Sequence, residues 1–323
     1  MKVLFLLDSL SPGGTETSTV QLAGSLHDRG VDTTIAILRA GDHDLMQTAS
    51  ELGVTVRIIE AQRWLGRVRA VRRLLAELRP DVLHTALFTS DQIGRVASCR
   101  RPVTVISSFV STPYDEARRR DPNVRAWKLG LVRLIDSMTG RLFVDRFHSV
   151  SSGTAEANAG ALRIPLSRVT VVERGRNLDA LGVGSPERRH QVRSEMGLGQ
   201  ADQVLLAIGR QDRQKAHVDL VAAFGTVTAT HPRARLLIAG KEGNASTALR
   251  DALAALPVGA DRVEVLGHRT DIGDLLAASD ALVISSHFEG TAGAAIEAMA
   301  VGTPVVATDI PGVRGVLDHE RNC

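Results

Sequence analysis

Short apolar runs alternate along this chain with longer stretches in which apolar residues recur at helical spacing. The apolar runs predict buried strands, and the stretches between them predict amphipathic helices. Regular alternation of the two is typical of a parallel sheet with helices on both faces, so the sequence predicts an α/β fold. The predicted strands are Lys2–Leu7, Thr33–Leu38, Val54–Ile59, Asp81–Leu83, Val103–Ser107, Phe147–Val150, Thr170–Val172, Gln203–Ile208, Arg235–Ile238, Val263–Leu266, Ala281–Ile284 and Pro304–Ala307. The predicted helices are Thr17–Arg29, Leu65–Leu78, Asp91–Cys99, Val124–Arg141, Val218–Thr230, Ala245–Leu256, Ile272–Ala278 and Ala292–Ala300.

The pattern breaks between Asn177 and Leu198. Glycine and proline residues there precede a charged run, Glu187–Arg193, which predicts a linker followed by a surface helix. A chain of 323 residues is long enough for two domains. We therefore predict two Rossmann-like domains, residues 1–177 and 178–323, that face each other across a cleft. Open α/β sheets bind ligands beyond the carboxyl ends of their strands, so we expect the ligand in that cleft.

Composition and charge narrow the class of protein. The net charge is +3, 44% of residues are hydrophobic, and no apolar run reaches the roughly 20 residues of a membrane span. The first residues, Met1–Asp8, predict a buried strand and not a signal peptide. The cysteines, Cys99 and Cys323, argue against a disulfide framework and favour the reducing cytoplasm. Aromatic residues make up 3% of the chain and no nucleic-acid recognition motif occurs, so we expect no nucleic-acid partner.

The most informative segment contains Glu289 and Glu297. An apolar run is followed by a glycine-containing turn after Glu289, and then by an alanine-rich helical stretch that holds Glu297. A strand, a glycine turn and a helix N-terminus together form a site for an anionic ligand. A wholly helical segment would separate the two carboxylates by about 12 Å, which suits the two ends of one elongated ligand and not an acid–base pair.

A basic loop, Gly209–Lys215, follows the predicted strand Gln203–Ile208. The guanidinium of Arg210 is able to bind two phosphate oxygens at once, and Lys215 adds a mobile point charge. Positive groups aimed at a departing phosphate are able to substitute for a metal ion. A solvated basic loop is the alternative interpretation, because such loops are common.

Three further segments follow predicted strands. Gly13 and Gly14 lie between the first strand and the first helix, where glycine allows backbone to approach a ligand. His84 directly follows the predicted strand Asp81–Leu83, in the sequence Asp-Val-Leu-His. His268 and Arg269 follow the predicted strand Val263–Leu266. An ordinary turn, or a histidine with a structural role, is the alternative at each place.

Together these segments resemble the motifs of retaining glycosyltransferases of the GT-B fold, in glycosyltransferase family 4 (glycosyl transferases group 1). The matching motifs are Glu-x7-Glu at 289–297, Gly-Arg-x4-Lys at 209–215, Gly-Gly-x-Glu at 13–16 and Asp-x-x-His at 81–84. The resemblance implies transfer of a sugar from a nucleotide diphosphate donor to an acceptor hydroxyl, with retention and with neither metal nor cofactor. It implies that the N-terminal half is the acceptor side and the C-terminal half the donor side. Family members continue into a helix that crosses back to the N-terminal half, so we expect a truncated C-terminal domain.

The resemblance also implies roles for individual residues. Glu289, Arg210, Lys215 and His84 are expected to act in catalysis, and the departing phosphate is expected to help accept the proton of the acceptor. Glu297 is expected to hydrogen-bond the ribose hydroxyls. The other residues expected to line the donor site are Gly13, Gly14, Gly209, His268, Arg269, Gly290, Thr291, Ala292, Gly293 and Ala294.

The chain departs from the family pattern at several positions. Thr291-Ala292-Gly293 replaces the Phe-Gly that is frequent in the family, a variant typical of polysaccharide-type members. Ala86 stands where a second histidine is frequent, and Gly315 stands where relatives often carry Glu. Two other functions stay open, a GT-B epimerase that acts on a nucleotide sugar and a non-catalytic nucleotide-sugar binding protein.

Two basic stretches lie in the N-terminal half, at 63–75 and 118–133. A basic amphipathic helix with tryptophan is able to rest on an anionic membrane, so peripheral contact at the inner face of the membrane is one hypothesis. A solvated helix face packed on a sheet is the other. We expect a lipid-linked or polysaccharide acceptor.

Asp42-His43-Asp44 has the pattern of the metal element in the other glycosyltransferase fold, but we predict a solvated turn there and no metal site.

Overall fold

A computed structural model describes residues 1–11, 13–40, 43–119, 124–173, 175–176, 178–256, 258–314, 316–319 and 321. Contacts between residues divide the chain into two compact units, unit 1 (Met1–Arg174) and unit 2 (Gly175–Cys323). Each unit is built around its own parallel sheet. Within the described residues, no helix is both long and apolar enough to cross a bilayer.

The described part of unit 1 forms a seven-stranded sheet in the order β3-β2-β1-β4-β5-β6-β7, with every neighbouring pair parallel. Its elements are β1 (Lys2–Leu7), α1 (Gly14–His27), β2 (Asp32–Ile37), α2 (His43–Glu51), β3 (Thr55–Ile58), α3 (Trp64–Leu78), β4 (Val82–Ala86), α4 (Phe88–Ser98), β5 (Thr104–Phe109), α5 (Glu116–Arg119), α6 (Ala126–Phe143), β6 (Arg146–Ser149), α7 (Ser152–Leu162) and β7 (Val169–Val171). Side chains alternate between the two faces of the sheet, as strand geometry requires. Leu4 and Leu6 pack in the core cluster that includes α3 and α4, whereas Phe5 and Leu7 pack with Val20 of α1.

The described part of unit 2 forms a five-stranded parallel sheet in the order β10-β9-β8-β11-β12. Its elements are α8 (Leu178–Leu181), α9 (Pro186–Glu195), β8 (Gln203–Ile208), α10 (His217–Thr230), β9 (Ala234–Ala239), α11 (Ser246–Ala254), β10 (Val263–Gly267), α12 (Ile272–Ala278), β11 (Ala281–Ile284), α13 (Gly293–Val301), β12 (Val305–Ala307) and α14 (Pro311–Arg314). The chain moves from β8 outward to β10 and then returns to β11 on the other side of β8. The loops after β8 and β11 therefore diverge at a topological switch point, where open α/β sheets bind their ligands.

The α/β prediction is confirmed, but the helices α2, α5, α7, α8 and α14 were not predicted, and α2 begins at His43, where we predicted a solvated turn. The sequence of α7, Ser-Gly-Thr-Ala-Glu-Ala-Asn-Ala-Gly-Ala-Leu, is dominated by small residues and carries almost no amphipathic signal. Its start is fixed instead by a cap, because the Ser151 side chain accepts a hydrogen bond from the Thr154 backbone N–H at 3.2 Å. Helix α7 thus depends on a cap and on tertiary packing, and a hydrophobic pattern does not find it.

The prediction of a solvated surface helix at Glu187–Arg193 is wrong for Arg193. This side chain of α9 is completely buried, and its Nη2 donates to Asp280 Oδ2 at 2.8 Å. Its Nη1 donates to the carbonyl oxygens of Gly199, Gln200 and Asp202. Asp280 also accepts from the Val204 backbone N–H at 2.7 Å, so Arg193 ties α9 to the start of β8 and of β11. A buried guanidinium is stable here because each of these donors has a partner.

We expect Arg193→Ala to destabilise unit 2 by about 3 kcal/mol, because it removes the buried donor to the carbonyl groups of Ala278, Gly199, Gln200 and Asp202. Urea unfolding followed by circular dichroism measures this change. Arg250→Ala is the matched control, since Arg250 pairs with Glu242 on the surface and its loss costs less than about 1 kcal/mol. Equal losses in the two variants would contradict the anchoring role of Arg193.

Candidate functional site

The loop after β8 is shaped by glycines that approach other atoms closely. Gly209 has a φ of +154°, and a Cβ at this position would lie 2.8 Å from Lys215 Cε. The Lys215 side chain therefore folds back across the Gly209 backbone. A Cβ on Gly240, after β9, would lie 1.9 Å from the Gly209 carbonyl oxygen. Residues larger than glycine would force these two loops apart.

The structure brings together Lys215 from the loop after β8 and Glu289 from the loop after β11. Lys215 Nζ donates to Glu289 Oε1, which also accepts from Ser286 Oγ at 2.7 Å. Gln214 Nε2 lies 3.4 Å from Oε2 of the same carboxylate. The Glu289 side chain is only 8% exposed and that of Lys215 is 28% exposed. The buried carboxylate thus fixes an ammonium that still reaches solvent, and in the described residues Nζ has no other hydrogen-bond partner.

Hydrogen bonds to the backbone fix the positions of the same two loops relative to each other. Ser285 Oγ donates to the Lys215 carbonyl at 2.8 Å, and the His287 backbone N–H donates to the Gln214 carbonyl at 2.9 Å. Gln214 Nε2 donates to the Phe288 carbonyl at 2.9 Å. The position of the ammonium is therefore set by a network and not by one flexible side chain. Sequence reasoning missed Gln214, Ser285 and Ser286, although all three border predicted site residues.

The second glutamate, Glu297, lies on α13 and pairs with Arg176. Arg176 Nε donates to Glu297 Oε1 at 2.6 Å, and the two side chains are 14% and 20% exposed. A Cβ on Gly293 would lie 2.0 Å from Arg176 Nη2, so the guanidinium lies directly on the first turn of α13. Sequence reasoning missed Arg176. In a chain so rich in arginine, a single one beside a predicted domain boundary gives no signal.

The segment between the two glutamates leads into the N-terminus of α13. Gly290, Thr291 and Ala292 precede the helix, and Gly293 and Ala294 are its first two residues. The Ala292 backbone N–H donates to the Gly312 carbonyl at 3.2 Å. A Cβ on Gly312 would lie 2.4 Å from the Glu289 carbonyl oxygen, so glycine is required there as well. The first turn of α13, where a helix dipole is positive, therefore lies beside Arg176, and the Lys215–Glu289 pair precedes it by four residues.

Three basic residues predicted for this site lie outside the Lys215–Glu289 cluster. The Arg210 side chain is 63% exposed and donates from Nε to Asp212 Oδ2 at 2.6 Å. Arg269 binds both carboxylate oxygens of Asp271, and its hydrogen bonds hold the pKa of Asp271 below the ordinary value. His268 is exposed. In this structure Arg210 and Arg269 are thus paired with neighbouring aspartates.

In unit 1, the predicted glycine loop leads into α1. Gly13 is the residue before the helix and Gly14 is its first residue. A Cβ on Gly13 would lie 2.6 Å from Glu16 Oε2, so the Glu16 side chain turns back over this backbone. Directly after β1, Asp8 Oδ1 accepts from the Ser90 backbone N–H in the first turn of α4 at 2.8 Å.

His84 on β4 is the first member of a hydrogen-bonded chain across three neighbouring strands. His84 Nε2 lies 2.6 Å from Ser108 Oγ on β5, and Ser108 Oγ lies 2.8 Å from His148 Nδ1 on β6. His148 Nε2 lies 3.1 Å from the Val172 carbonyl oxygen, which is able only to accept. With neutral His148, the protons therefore point from Ser108 to His148 and from His84 to Ser108. This arrangement leaves His84 Nδ1 as a hydrogen-bond acceptor.

The predicted absence of a metal site at Asp42-His43-Asp44 is not tested, because Asp42 and the side chains of the other two lie outside the described residues. In the described part of the chain, no group of three or more His, Cys, Asp or Glu side chains is arranged to hold a metal ion. Arg176 lies against the first turn of α13, and Lys215 contacts Glu289, four residues before this helix.

Comparison with known proteins identifies two family matches. The family described as "Glycosyltransferase Family 4" matches residues 12–180, which is more than half of the chain. The family described as "Glycosyl transferases group 1" matches residues 202–323. The chain is 29% identical to a D-inositol 3-phosphate glycosyltransferase of Thermobispora bispora, over 95% of this chain and 76% of that protein. It is 26% identical to the protein of the same name from Gordonia bronchialis, over 93% of this chain and 70% of that one.

Among solved structures, the chain resembles Anabaena Alr3699/HepE in complex with UDP and glucose. The TM-score is 0.82 at 22% identity, and the match covers 99% of this chain and 83% of that one. A structural match at this identity establishes the shared GT-B fold, and the family matches establish descent. The resemblance inferred from the motifs is therefore confirmed. The chain belongs to Glycosyltransferase Family 4 and is a nucleotide-sugar glycosyltransferase of a retaining family.

Proposed function

We propose that this enzyme binds its nucleotide diphosphate sugar in unit 2, at the carboxyl ends of β8 and β11, and transfers the sugar to an acceptor hydroxyl. The observation that carries the proposal is the Lys215 ammonium, held by the buried Glu289 carboxylate close to the N-terminus of α13. Cleavage of the bond between sugar and phosphate leaves a new negative charge on the diphosphate. A fixed ammonium lowers the energy of that charge without having to reorganise during the reaction.

The diphosphate fits the remaining donors of this site. A lysine ammonium has three N–H donors, and one of them is used by Glu289. The Arg176 guanidinium supplies further positive charge for the phosphate oxygens. The backbone N–H groups of Ala292, Gly293 and Ala295 already donate to carbonyl oxygens, so the start of α13 contributes through its helix dipole. Arg210, whose side chain is 63% exposed, joins them by leaving Asp212, which keeps the hydrogen bond from the Asn244 backbone N–H. We therefore assign the diphosphate to Lys215, Arg176, Arg210 and the first turn of α13.

Glu297 is proposed to bind the ribose hydroxyls. One of its oxygens accepts from Arg176, which holds the carboxylate in place, and the other is able to accept from a hydroxyl. Glu289 then lies toward the sugar and Glu297 toward the nucleoside. His268 and Arg269 are proposed to face the nucleobase, and Gly13 and Gly14 to approach the donor.

We propose a UDP-sugar as the donor, because a structure with the same fold, that of HepE, has also been solved in complex with UDP-glucose. The acceptor is proposed to contact His84 in unit 1, where Nδ1 is available as an acceptor for a hydroxyl proton. Burial, reinforced by the neighbouring His148, lowers the pKa of His84 from 6.5 to about 3, so His84 is neutral at physiological pH. A neutral imidazole is required for this role.

A donor-turnover assay tests the function. The enzyme is incubated with a panel of nucleotide sugars, alone and with D-inositol 3-phosphate or a lipid-linked sugar acceptor, and nucleotide and sugar products are separated by chromatography. We expect acceptor-dependent release of UDP and a retained anomeric configuration in the product. Free nucleotide with an epimerised sugar and no acceptor would identify an epimerase, and tight binding without turnover would identify a binding protein.

Lys215→Ala is expected to lower kcat by about 100-fold or more, the loss typical of removing one preorganised donor to a developing anion. Glu289→Gln is expected to act in the same direction, because it releases the ammonium from its position. Lys2→Ala is the matched control, since Lys2 is exposed and pairs with Asp32 at the start of β1 and β2 in unit 1. A wild-type kcat in both site variants, with an unchanged circular dichroism spectrum, would remove the ion pair from the mechanism.

Glu297→Ala is expected to weaken UDP binding about tenfold, the loss of a charged hydrogen bond of about 1.5 kcal/mol. The kcat at saturating donor should change much less, because the ribose is remote from the reacting bond. Isothermal titration with UDP measures the affinity. Glu195→Ala on the exposed end of α9 serves as control. An unchanged Kd would place the ribose elsewhere.

Protonation of two buried histidines is expected to destabilise the protein between about pH 6.5 and pH 3, and Asp91, whose pKa burial raises to about 6, partly offsets this loss below about pH 6. Burial lowers the pKa of His84 to about 3, and burial together with Lys215 lowers that of His217 to about 4. The unfolded chain therefore binds more protons in this window, so stability is present above pH 6.5 and is lost as the pH falls, by up to about 1.4 kcal/mol per pH unit for each group. Urea unfolding at pH 7 and pH 5 should show a smaller loss in His84→Gln than in the wild type. The control is His190→Gln, an exposed position that should behave as wild type.

A further inference from the structure

Helix α6 exposes an apolar stripe to solvent. We use "α6 stripe" for its six exposed apolar side chains, which are 40–70% exposed: Trp127, Leu131, Leu134, Ile135, Met138 and Leu142. Their spacing of four, three, one, three and four residues places them on one face of the helix. A helix on the outside of a sheet normally turns such a face inward. Here the stripe faces outward and has no cover within the described residues.

The orientation of α6 is fixed by its other face. Asp136 is buried and accepts from Arg95 Nη1 at 2.5 Å and from the Tyr114 hydroxyl at 2.7 Å. Arg95, on α4, is 1% exposed. A Cβ on Gly140 would lie 3.2 Å from the Phe147 ring, so the helix approaches the sheet closely at this point. Rotating α6 to bury the stripe would break the buried Arg95–Asp136 ion pair and the Tyr114–Asp136 hydrogen bond, leaving Arg95 with Asp91 and Ser107 alone. The outward stripe is therefore a built feature of the fold.

The charges around the stripe are of one sign. Lys128, Arg133 and Arg141 are the exposed charged residues of α6, and its one acidic residue, Asp136, faces inward. Lys128 Nζ lies 5.6 Å from the centre of the Trp127 ring. The exposed face of α6 thus combines apolar side chains with uncompensated positive charge, and this combination suits an anionic partner with an apolar interior.

A pocket adjoins the C-terminal end of the stripe. It has a volume of about 530 Å³ and is lined by Met138, Arg141, Leu142, Arg163, Pro165 and Arg168. Arg168 is anchored, because it donates to the Val144 carbonyl and lies 5.7 Å from the centre of the Phe147 ring. Within the described residues, no carboxylate lies at ion-pair distance from any of the three arginines. Three arginines beside apolar side chains match a phosphate group that is attached to an acyl chain.

We propose that the α6 stripe and this arginine pocket dock unit 1 on a membrane surface that contains anionic lipids. The stripe enters the boundary between headgroups and acyl chains, Trp127 lies at the level of the headgroups, and the pocket binds a lipid phosphate. A second copy of the chain fits less well, because it would bring Lys128, Arg133 and Arg141 of one helix against the same charges of the other. Nucleic acid fits less well because the centre of the surface is apolar.

Co-sedimentation with vesicles tests this proposal. The full chain is mixed with vesicles of phosphatidylcholine alone or of phosphatidylcholine with phosphatidylglycerol. We expect binding to the anionic vesicles that weakens with added salt, and at least tenfold weaker binding to the neutral ones. Absence of binding to the anionic vesicles would overturn the proposal.

Two double variants separate the two parts of the surface. Leu131→Gln with Leu142→Gln removes apolar contact, and Arg141→Ala with Arg163→Ala removes positive charge. We expect each double variant to bind anionic vesicles about tenfold more weakly than the wild type, or weaker still. The matched controls are Val183→Gln with Val258→Gln, two exposed apolar residues of unit 2, and Arg250→Ala, a surface arginine of unit 2. The controls should bind as wild type, and all variants should keep the wild-type thermal unfolding temperature and donor hydrolysis rate.

Two outcomes would contradict the lipid assignment while leaving the donor site intact. Vesicle binding that both double variants retain would show that another surface carries it. The second outcome is a wild-type chain that does not bind vesicles but forms a concentration-dependent dimer in gel filtration. If Leu131→Gln with Leu142→Gln abolishes this dimer, the stripe is an interface between copies. Absence of donor turnover with intact vesicle binding would contradict the proposed function and leave the membrane proposal standing.

Discussion

The ion pair between Lys215 and Glu289 is the interaction on which the site depends. Burying a carboxylate is costly unless donors surround it, and here Lys215, Ser286 and Gln214 meet that requirement. The pair forms only because β8 and β11 are neighbours at the point where the strand order reverses, so the topology of the sheet brings the two loops together. The result is an ammonium held in a fixed position by Glu289, four residues before the start of α13. In the proposed mechanism, this ammonium stabilises the departing diphosphate without having to reorganise during the reaction, because the folded loop already holds it in place.

Buried arginines position the surrounding elements by the same principle. Arg193 ties α9 to the strands of unit 2, and Arg95 ties α4 to α6 through Asp136 in unit 1. Arg176 ties the chain before α8 to Glu297 on α13. In each case a planar guanidinium meets carboxylate or carbonyl oxygens in a geometry that a lysine does not match. The use of arginine as an internal tie also explains why net charge and arginine content alone say little about the partners of this protein.

The sequence was sufficient for the parts of the fold and site that local pattern determines. Each predicted strand corresponds to a strand of the structure, and Lys215 and Glu289, which two separate motifs predict for one site, are in contact. Their roles in the reaction stay predictions. Arg176 and Arg193 were not identified in this way, because their importance arises from contacts with residues about 85 to 121 positions away along the chain. The α6 stripe was likewise only partly foreseen. The basic residues of α6 are visible in the sequence, but only the burial of Asp136 shows which face of the helix points outward.

A crystal structure of the enzyme with bound UDP tests the central claim most directly. The account predicts that Lys215 Nζ lies within hydrogen-bond distance, about 3 Å, of an oxygen of the diphosphate while Glu289 still contacts the ammonium. It also predicts that the diphosphate lies at the first turn of α13. A diphosphate bound elsewhere in unit 2, with Lys215 and Glu289 paired only to each other, would contradict the account.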